Sequence, residues 1–314
     1  MLATATTTTT DLAPEFVQRA QHLCSVFRAG HGPTTSSTKQ KREISLVMKD
    51  VVSLFTDVLG SGRNNSHFER VCMLLALETW SEESLHHLCK QLVSLGLSRD
   101  NTSMFARMSI LPRVFLLKRS ASRTLVNVMM DLSKSQPQSV VDGVMIPSLL
   151  HGGEKECTAA SVELVSRVAK SLPTEQVTRF IGVLLAGEAT SQGGSGGGRR
   201  VSISEQSLVL FKSLLSLKKL NLPPAPHVEE LIGWFERCLQ SNENVMSKSM
   251  KLASAVHVLI TKHLKKRNGG GAGGGGGSSS IGGIHDHVGR VESLVTKLNT
   301  FMTKSSLAAL NRLK

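Results

Sequence analysis

Apolar residues recur every three or four positions along most of this chain, which is the spacing of one face of an α-helix. One such run is introduced by Ser81, an N-cap type of residue followed by two acidic residues. Its apolar positions share one predicted face: Leu85, Leu88, Leu92 and Leu95. No stretch combines period-two alternation with hairpin turns, as paired strands do. The pattern therefore predicts an all-α protein.

Helical runs of about ten to twenty residues follow one another, with about 40 residues for each pair of runs. That size is typical of HEAT-type arrays, so we expect a solenoid of antiparallel helical pairs. Pro112 is predicted to split the helix that contains it, because proline clashes with the preceding turn. Ser120 is predicted to start a helix that buries Leu125, Met129 and Leu132. A single helix is predicted from Val245 to Leu264.

The ends and interruptions of the pattern predict the domain organisation. Residues 1–40 combine a threonine run with one short helical pattern, which is typical of a mostly disordered lead-in with a short helix. Residues 41–314 are predicted to form one helical-repeat domain. Two glycine-rich stretches, 188–201 and 268–283, interrupt it and have the composition of flexible loops.

Composition fits this picture. Aromatic residues make up 4% of the chain and tyrosine is absent, so the core has to be built from aliphatic residues, which suits helix packing. The five cysteines are scattered and never form a C-x-x-C pair, which favours free thiols in a reducing compartment. No apolar run approaches the ~20 residues that cross a bilayer, so no membrane partner is expected.

Motifs of catalysis are absent from the sequence. There is no P-loop, no G-x-S-x-G and no H-E-x-x-H, so we expect neither an enzyme nor a cofactor. Two polar clusters resemble partial metal sites: His86, His87 and Cys89, and His285-Asp286-His287. A zinc site needs about four converging ligands, so a core cysteine beside surface histidines is the favoured interpretation.

A formal charge of +13 is concentrated in two regions of the chain. Arg119 and Arg123 are spaced one helical turn apart, and so are Lys262 and Lys266, with Lys265 beside them. Such ridges suit weak contact with DNA phosphates, although a solvated helix face is the favoured interpretation. A further basic pair, Arg199-Arg200, precedes Ser202, which makes Ser202 a candidate phosphorylation site for a basophilic kinase.

Several segments between residues 80 and 314 resemble, in order and spacing, the C-terminal helical domain of the Fanconi anaemia group E family. They are SLHHLCKQLVSLGLS at 84–98, SLVLFKSLL at 207–215, SMKLASAVHVLITK at 249–262 and NTFMTKSSLAAL at 299–310. The resemblance rests on the collinearity of these segments, since none of them is a strong signature alone.

The resemblance implies a stack of antiparallel helical pairs and a non-catalytic, nuclear role. Family members are subunits of the Fanconi anaemia core ubiquitin-ligase complex, which acts in the repair of DNA interstrand crosslinks. They bind the group C subunit and present the clamp substrate of the pathway for monoubiquitination. An aromatic–aliphatic pair that contacts this substrate corresponds to Phe301 and Met302. A nucleic-acid-binding protein or a generic HEAT-type scaffold using its basic helix faces remains the alternative.

Overall fold

The computed structural model describes residues 12–30, 38–60, 65–150, 158–189, 205–220, 225–264 and 282–313. All regular structure in these ranges is helical and no strand occurs in them, which confirms the all-α class. The two glycine-rich stretches lie largely outside these ranges, as does Ser202. Helices do, however, include residues 188–189 and 282–283 at their outer edges.

The chain divides into two compact units, one formed by Met1–Val114 with Ser122–Val144 and the other by Phe115–Ala121 with Met145–Lys314. The helices of the first unit are α1 Pro14–Gly30, α2 Thr38–Gly60, α3 Asn65–Leu74, α4 Glu82–Ser94, α5 Arg99–Ser109, α6 Leu111–Phe115, α7 Arg123–Ser135 and α8 Pro137–Val140. Those of the second are α9 Ile146–Leu150, α10 Ala159–Ser171, α11 Thr174–Ala189, α12 Glu205–Leu215, α13 Ala225–Ser241, α14 Glu243–Met246, α15 Met250–Val258, α16 Gly282–Thr296 and α17 Met302–Asn311. Turns of π-helix follow α8 and α15, at Val141–Met145 and Leu259–Leu264.

Within the first unit, alternate helices pack against one another in two series. One series is α1, α3, α5 and α8, and the other is α2, α4 and α7. Side chains link the members of a series: Ser139 donates a hydrogen bond to the carbonyl of Arg99 on α5, and His86 on α4 lies 2.9 Å from Asp131 on α7. Consecutive helices therefore belong to opposite layers.

The first helix packs against α2 and α3 of this unit, whereas the flanking parts of the expected lead-in, residues 1–11 and 31–37, lie outside the described ranges. Its buried positions Ala20, Leu23, Cys24 and Phe27 have helical spacing. The ring of Phe27 stacks on Trp80 with a centroid distance of 3.9 Å. The predicted boundary at residue 40 also falls inside α2, because residues 38–60 are continuously helical.

Within the second unit the same alternation gives the series α10, α12, α15, α17 and the series α9, α11, α13, α16. Helices α12 and α15 run parallel. At their starts Lys251 pairs with Glu205 at 2.5 Å, and beyond their ends the Nζ atom of Lys262 donates to the carbonyl of Ser216. Helix α17 runs the same way, since Met302 contacts Ser254 on α15 and, one turn later in both helices, Ser306 lies 3.2 Å from His257.

Local signals explain most helix ends. Ser81 caps α4 as predicted, accepting a hydrogen bond from the N–H of Ser84. A break separates α5 from α6 just before Pro112, also as predicted. The prediction for Ser120 is wrong: Ser122 is the cap of α7, and it accepts from the N–H of Leu125 at 3.0 Å. Leu125, Met129 and Leu132 are nevertheless buried.

The single helix expected from Val245 to Leu264 is interrupted. Helix α14 ends at Met246, and Ser249 caps α15 by accepting from the N–H of Leu252. Leu95, predicted on the buried face of α4, follows the helix as its C-cap and is 44% exposed. Among the cysteines, Cys24, Cys72, Cys89 and Cys238 are buried, which confirms their interpretation as small core residues.

Candidate partner-binding site

Phe301 is the most exposed of the large apolar side chains that the described ranges hold, at 80% of its accessible surface. It lies immediately before α17, in helical backbone conformation, and makes no side-chain cap. Because the ring stays largely in contact with water, it contributes little to the stability of the fold. Exposed apolar side chains in a fixed setting often mark partner sites.

The segment that carries Phe301 is held by a small network of hydrogen bonds. The hydroxyl of Thr303 donates to the carbonyl of Leu298 at 2.5 Å and accepts from the N–H of Thr300 at 3.3 Å. Leu298 itself is buried, which anchors the segment to the core. The ring is therefore presented from an ordered turn.

Met302, the second residue implied by the family resemblance, is placed differently. It is the first residue of α17 and is only half-exposed. Its sulfur lies 3.7 Å from the hydroxyl oxygen of Ser254 on α15. The two side chains therefore lie in different environments. Phe301 is exposed to solvent, whereas Met302 contributes to the packing of α17 against α15.

A second exposed apolar side chain belongs to the neighbouring turn. Val245, on α14, is 56% exposed. Two residues later the carbonyl of Ser247 accepts a 2.7 Å hydrogen bond from the N–H of Asn299, two residues before Phe301. The sequence interpretation missed Val245, because it placed this residue in a long regular helix. No periodic signal in the sequence marks its exposure, because that exposure depends on the break after Met246.

A pocket of about 220 Å³ adjoins these two turns. Its lining comes from α13, α14, α16 and the residue after α16: Glu236, Leu239, Gln240, Glu243, Ser293, Leu294 and Lys297. Leu239 and Leu294 are otherwise buried and give it an apolar floor. The charge of Glu236 is compensated, since Arg290 donates to its carboxylate at 2.6 Å.

The charge of the two turns is positive. Residues 242–248 and 297–304 contain three lysines, Lys248, Lys297 and Lys304, against the single carboxylate of Glu243. All four side chains belong to exposed residues. A partner that covers Phe301 and Val245 therefore meets a net positive rim, which favours acidic over basic partners.

Of the predicted basic patch, the structure describes Arg119, Arg123 and Lys262. Arg119 lies in the irregular segment before α7 and Arg123 is the first residue of that helix, so the two do not form a helical ridge. The reason is the position of the cap, Ser122 rather than Ser120. Lys262 is exposed but donates to the carbonyl of Ser216. Lys265 and Lys266 lie outside the described residues.

Lys262 belongs to the π-helical extension of α15, whereas Phe301 immediately precedes α17. Met302 contacts α15 at Ser254, and Lys262 lies two turns further along, roughly 12 Å at the rise of an α-helix.

The candidate metal clusters do not converge. Across the described ranges, no three His, Cys, Asp or Glu side chains are grouped as a metal site requires. Cys89 is buried, and burial, with the Asp131 carboxylate adding to it, raises the pKa of its thiol to about 12. A thiol held in its protonated form is a poor ligand and a poor nucleophile. His285 and Asp286 belong to α16, but their side chains are not among those that the structure describes.

Comparison with protein-family models gives no match for this chain, and comparison with curated proteins gives none either. The resemblance to the Fanconi anaemia group E family therefore depends on the residue pattern alone. Of the helices described, none is both long enough and apolar enough to cross a membrane.

Proposed function

We propose that this protein is a non-catalytic helical-repeat adaptor. In this proposal it belongs to the Fanconi anaemia core ubiquitin-ligase complex, acts in the nucleus and bridges the group C subunit to the monoubiquitination substrate. The observation that carries the proposal is Phe301: a large aromatic side chain, 80% exposed, on a turn held by hydrogen bonds. It occupies the position that the family resemblance implies for substrate contact.

The repeat architecture is supported by the spacing of contacts along the chain. Hydrogen bonds between helices join residues roughly one helical pair apart. Examples are Ser139 with Arg99 (40 residues), Lys251 with Glu205 (46 residues) and His257 with Ser306 (49 residues). Each pair of helices in a HEAT-type or Fanconi-type solenoid contacts only its neighbours, so this spacing is the expected one.

An adaptor needs two separate contact regions, and a helical array supplies them on different pairs of helices. Phe301 belongs to the last described pair, α16 and α17, which leaves the earlier pairs for the group C subunit. Positioning a substrate requires no catalytic group on the adaptor itself. A buried, aliphatic core with inert thiols is compatible with that role.

Reconstitution from purified components tests the proposal. The chain is mixed with the group C subunit and the clamp substrate, and complexes are separated by gel filtration. We expect a three-component complex that is lost when the chain is omitted. A group C subunit that does not co-migrate with the chain, or a substrate that joins the group C subunit equally well without it, would contradict the bridging role.

A further inference from the structure

We infer that the partner site is larger than Phe301 and that its occupant is an acidic protein segment with an apolar anchor. The site, here called the paired-turn surface, comprises residues 242–248 and 297–304 with the pocket beside them. This inference rests on the proposed adaptor function and specifies the chemistry of the segment that docks. Four features of the second unit carry it.

The first feature is a direct link between the two turns. The N–H of Asn299 donates to the carbonyl of Ser247 at 2.7 Å. Each turn carries one exposed apolar side chain two residues away from that bond, Val245 on one side and Phe301 on the other. The bond holds the two turns beside each other, so one partner can contact both exposed side chains.

The second feature is the pocket. Glu243 from the first turn and Lys297 from the second both line it, so it borders both turns. Its floor includes Leu239 and Leu294, and its volume of about 220 Å³ accommodates one apolar side chain. Interfaces gain most of their affinity from a few apolar anchors in such pockets, surrounded by a polar rim.

The third feature is charge. Lys248, Lys297 and Lys304 are exposed, and none of them has a carboxylate partner within the described part of the chain. By contrast, Lys251 and Arg290 in the same unit are paired with Glu205 and Glu236. The lysines of the paired-turn surface are therefore available to an acidic partner, which they would steer and orient.

The fourth feature separates a protein segment from a nucleic acid. Glu243 lies in the pocket wall, where a phosphate backbone would meet its carboxylate. The prominent groups between the lysines are apolar, and only one of them, Phe301, is an aromatic ring on which a base could stack. A peptide that places an apolar residue in the pocket and carboxylates on the rim satisfies both sets of groups.

Selection of phage-displayed random peptides tests the inference without a known partner. The full chain is the target, and the Val245→Ala, Phe301→Ala double variant is used for counter-selection. We expect enriched peptides to combine one bulky apolar residue with several Asp or Glu residues. Enrichment of basic or uncharged peptides, or no enrichment above the double variant, would overturn the inference.

The selected peptide is then synthesised with a fluorescent label, and its Kd is measured by anisotropy. Val245→Ala is expected to weaken binding about tenfold, as is the Lys248→Glu, Lys297→Glu reversal, and the loss from the reversal should shrink at high salt. The matched control is Leu116→Ala with Lys118→Glu, because Leu116 is 77% exposed beside an exposed lysine. Equal losses in the control and in the paired-turn variants would overturn the inference.

The same variants distinguish this inference from the proposed function. If acidic peptides bind the paired-turn surface but the clamp substrate does not bind the chain, the proposed partner is wrong and the inferred surface stands. If the clamp substrate binds and neither the Val245 nor the lysine variants affect it, the adaptor role stands and the inferred surface is wrong. Circular dichroism of each variant confirms that the fold is retained.

Discussion

The Nζ atom of Lys262 donates a hydrogen bond to the carbonyl of Ser216, 46 residues earlier in the chain. Ser216 follows the end of α12, where helix carbonyls lack partners within the helix. His263 makes a neighbouring contact, its Nε2 atom lying 2.9 Å from the carbonyl of Leu215. Lys219 does the same for α10, donating to the carbonyls of Lys170 and Leu172. These lysines have a structural role at helix ends.

Replacing Lys262 by methionine should therefore lower stability. The change keeps the length of the side chain but removes the donor to Ser216, at a cost of about 0.5–1 kcal/mol for an exposed bond. Thermal unfolding should detect a decrease of roughly 1–4 °C in Tm for a unit of this size.

The control is Lys218→Met, which removes the same charge from an exposed lysine. Binding of duplex DNA by the two variants is compared at low salt. If Lys262→Met leaves stability unchanged and lowers DNA affinity more than Lys218→Met does, the result would support the alternative that a basic helix face binds nucleic acid.

Two glycines provide a test of the packing in the first unit and of helix propensity in the second. A Cβ atom on Gly143 would lie 2.4 Å from the backbone carbonyl oxygen of Ser103 on α5, so Gly143→Ala should destabilise the protein by about 1–3 kcal/mol. Gly289, on α16, has nothing within 4 Å of such an atom, and Gly289→Ala should stabilise by about 0.5–1 kcal/mol. Urea unfolding measures both. Similar effects of the same sign would show that the close approach of α5 is absent.

The start of α7 can be tested with two nearby serines. Ser122 caps the helix and donates to the Glu82 carboxylate, whereas Ser120 donates to Glu163 at 2.8 Å from outside the helix. Ser122→Ala should cost about 1 kcal/mol, the usual effect of removing an N-cap. Ser120→Ala should cost less than about half of that, since its bond is exposed. The reverse order would place the cap at Ser120.

Alkaline pH should destabilise the first unit through its buried thiols. Burial raises the pKa of Cys89 to about 12 and that of Cys72 still higher, whereas an unfolded thiol ionises near its ordinary value of 9.0. The unfolded state therefore loses protons that the folded state keeps, and stability falls as pH rises above about 9, by at most about 1.4 kcal/mol per pH unit for each thiol.

Urea midpoints measured between neutral pH and about pH 10 check this dependence. The Cys72→Ala, Cys89→Ala variant serves as the comparison, and its midpoints should fall less steeply with pH. Identical slopes in the two proteins would contradict the burial of these thiols.

The fold class was predictable from sequence because its signals are local. Leu85, Leu88 and Leu92 have helical spacing and are buried, and Ser81 caps the helix that carries them. The cap of α7 was not predictable, because Ser120 and Ser122 both satisfy the sequence criterion. Ser122, which is the residue that caps α7, also donates a tertiary hydrogen bond to the Glu82 carboxylate.

The candidate site was predictable only in part. The segment around Phe301 could be singled out from its resemblance to a family motif, but the half-burial of Met302 depends on α15, which is distant in sequence. Val245 could not be found, because its exposure results from the break after Met246 and from the bond between Ser247 and Asn299. Such long-range contacts leave no periodic signal in the sequence.

The affinity of the clamp substrate for the chain, measured with and without Phe301→Ala, tests the central claim most directly. Phe301 is 80% exposed and makes no cap, so the variant should keep its helicity and Tm. Met302 is left unchanged because it contacts α15. The account predicts a loss of affinity of about 30-fold or more, the effect of removing an aromatic hot spot, with Leu116→Ala unchanged. Binding of the substrate by Phe301→Ala with wild-type affinity would contradict it.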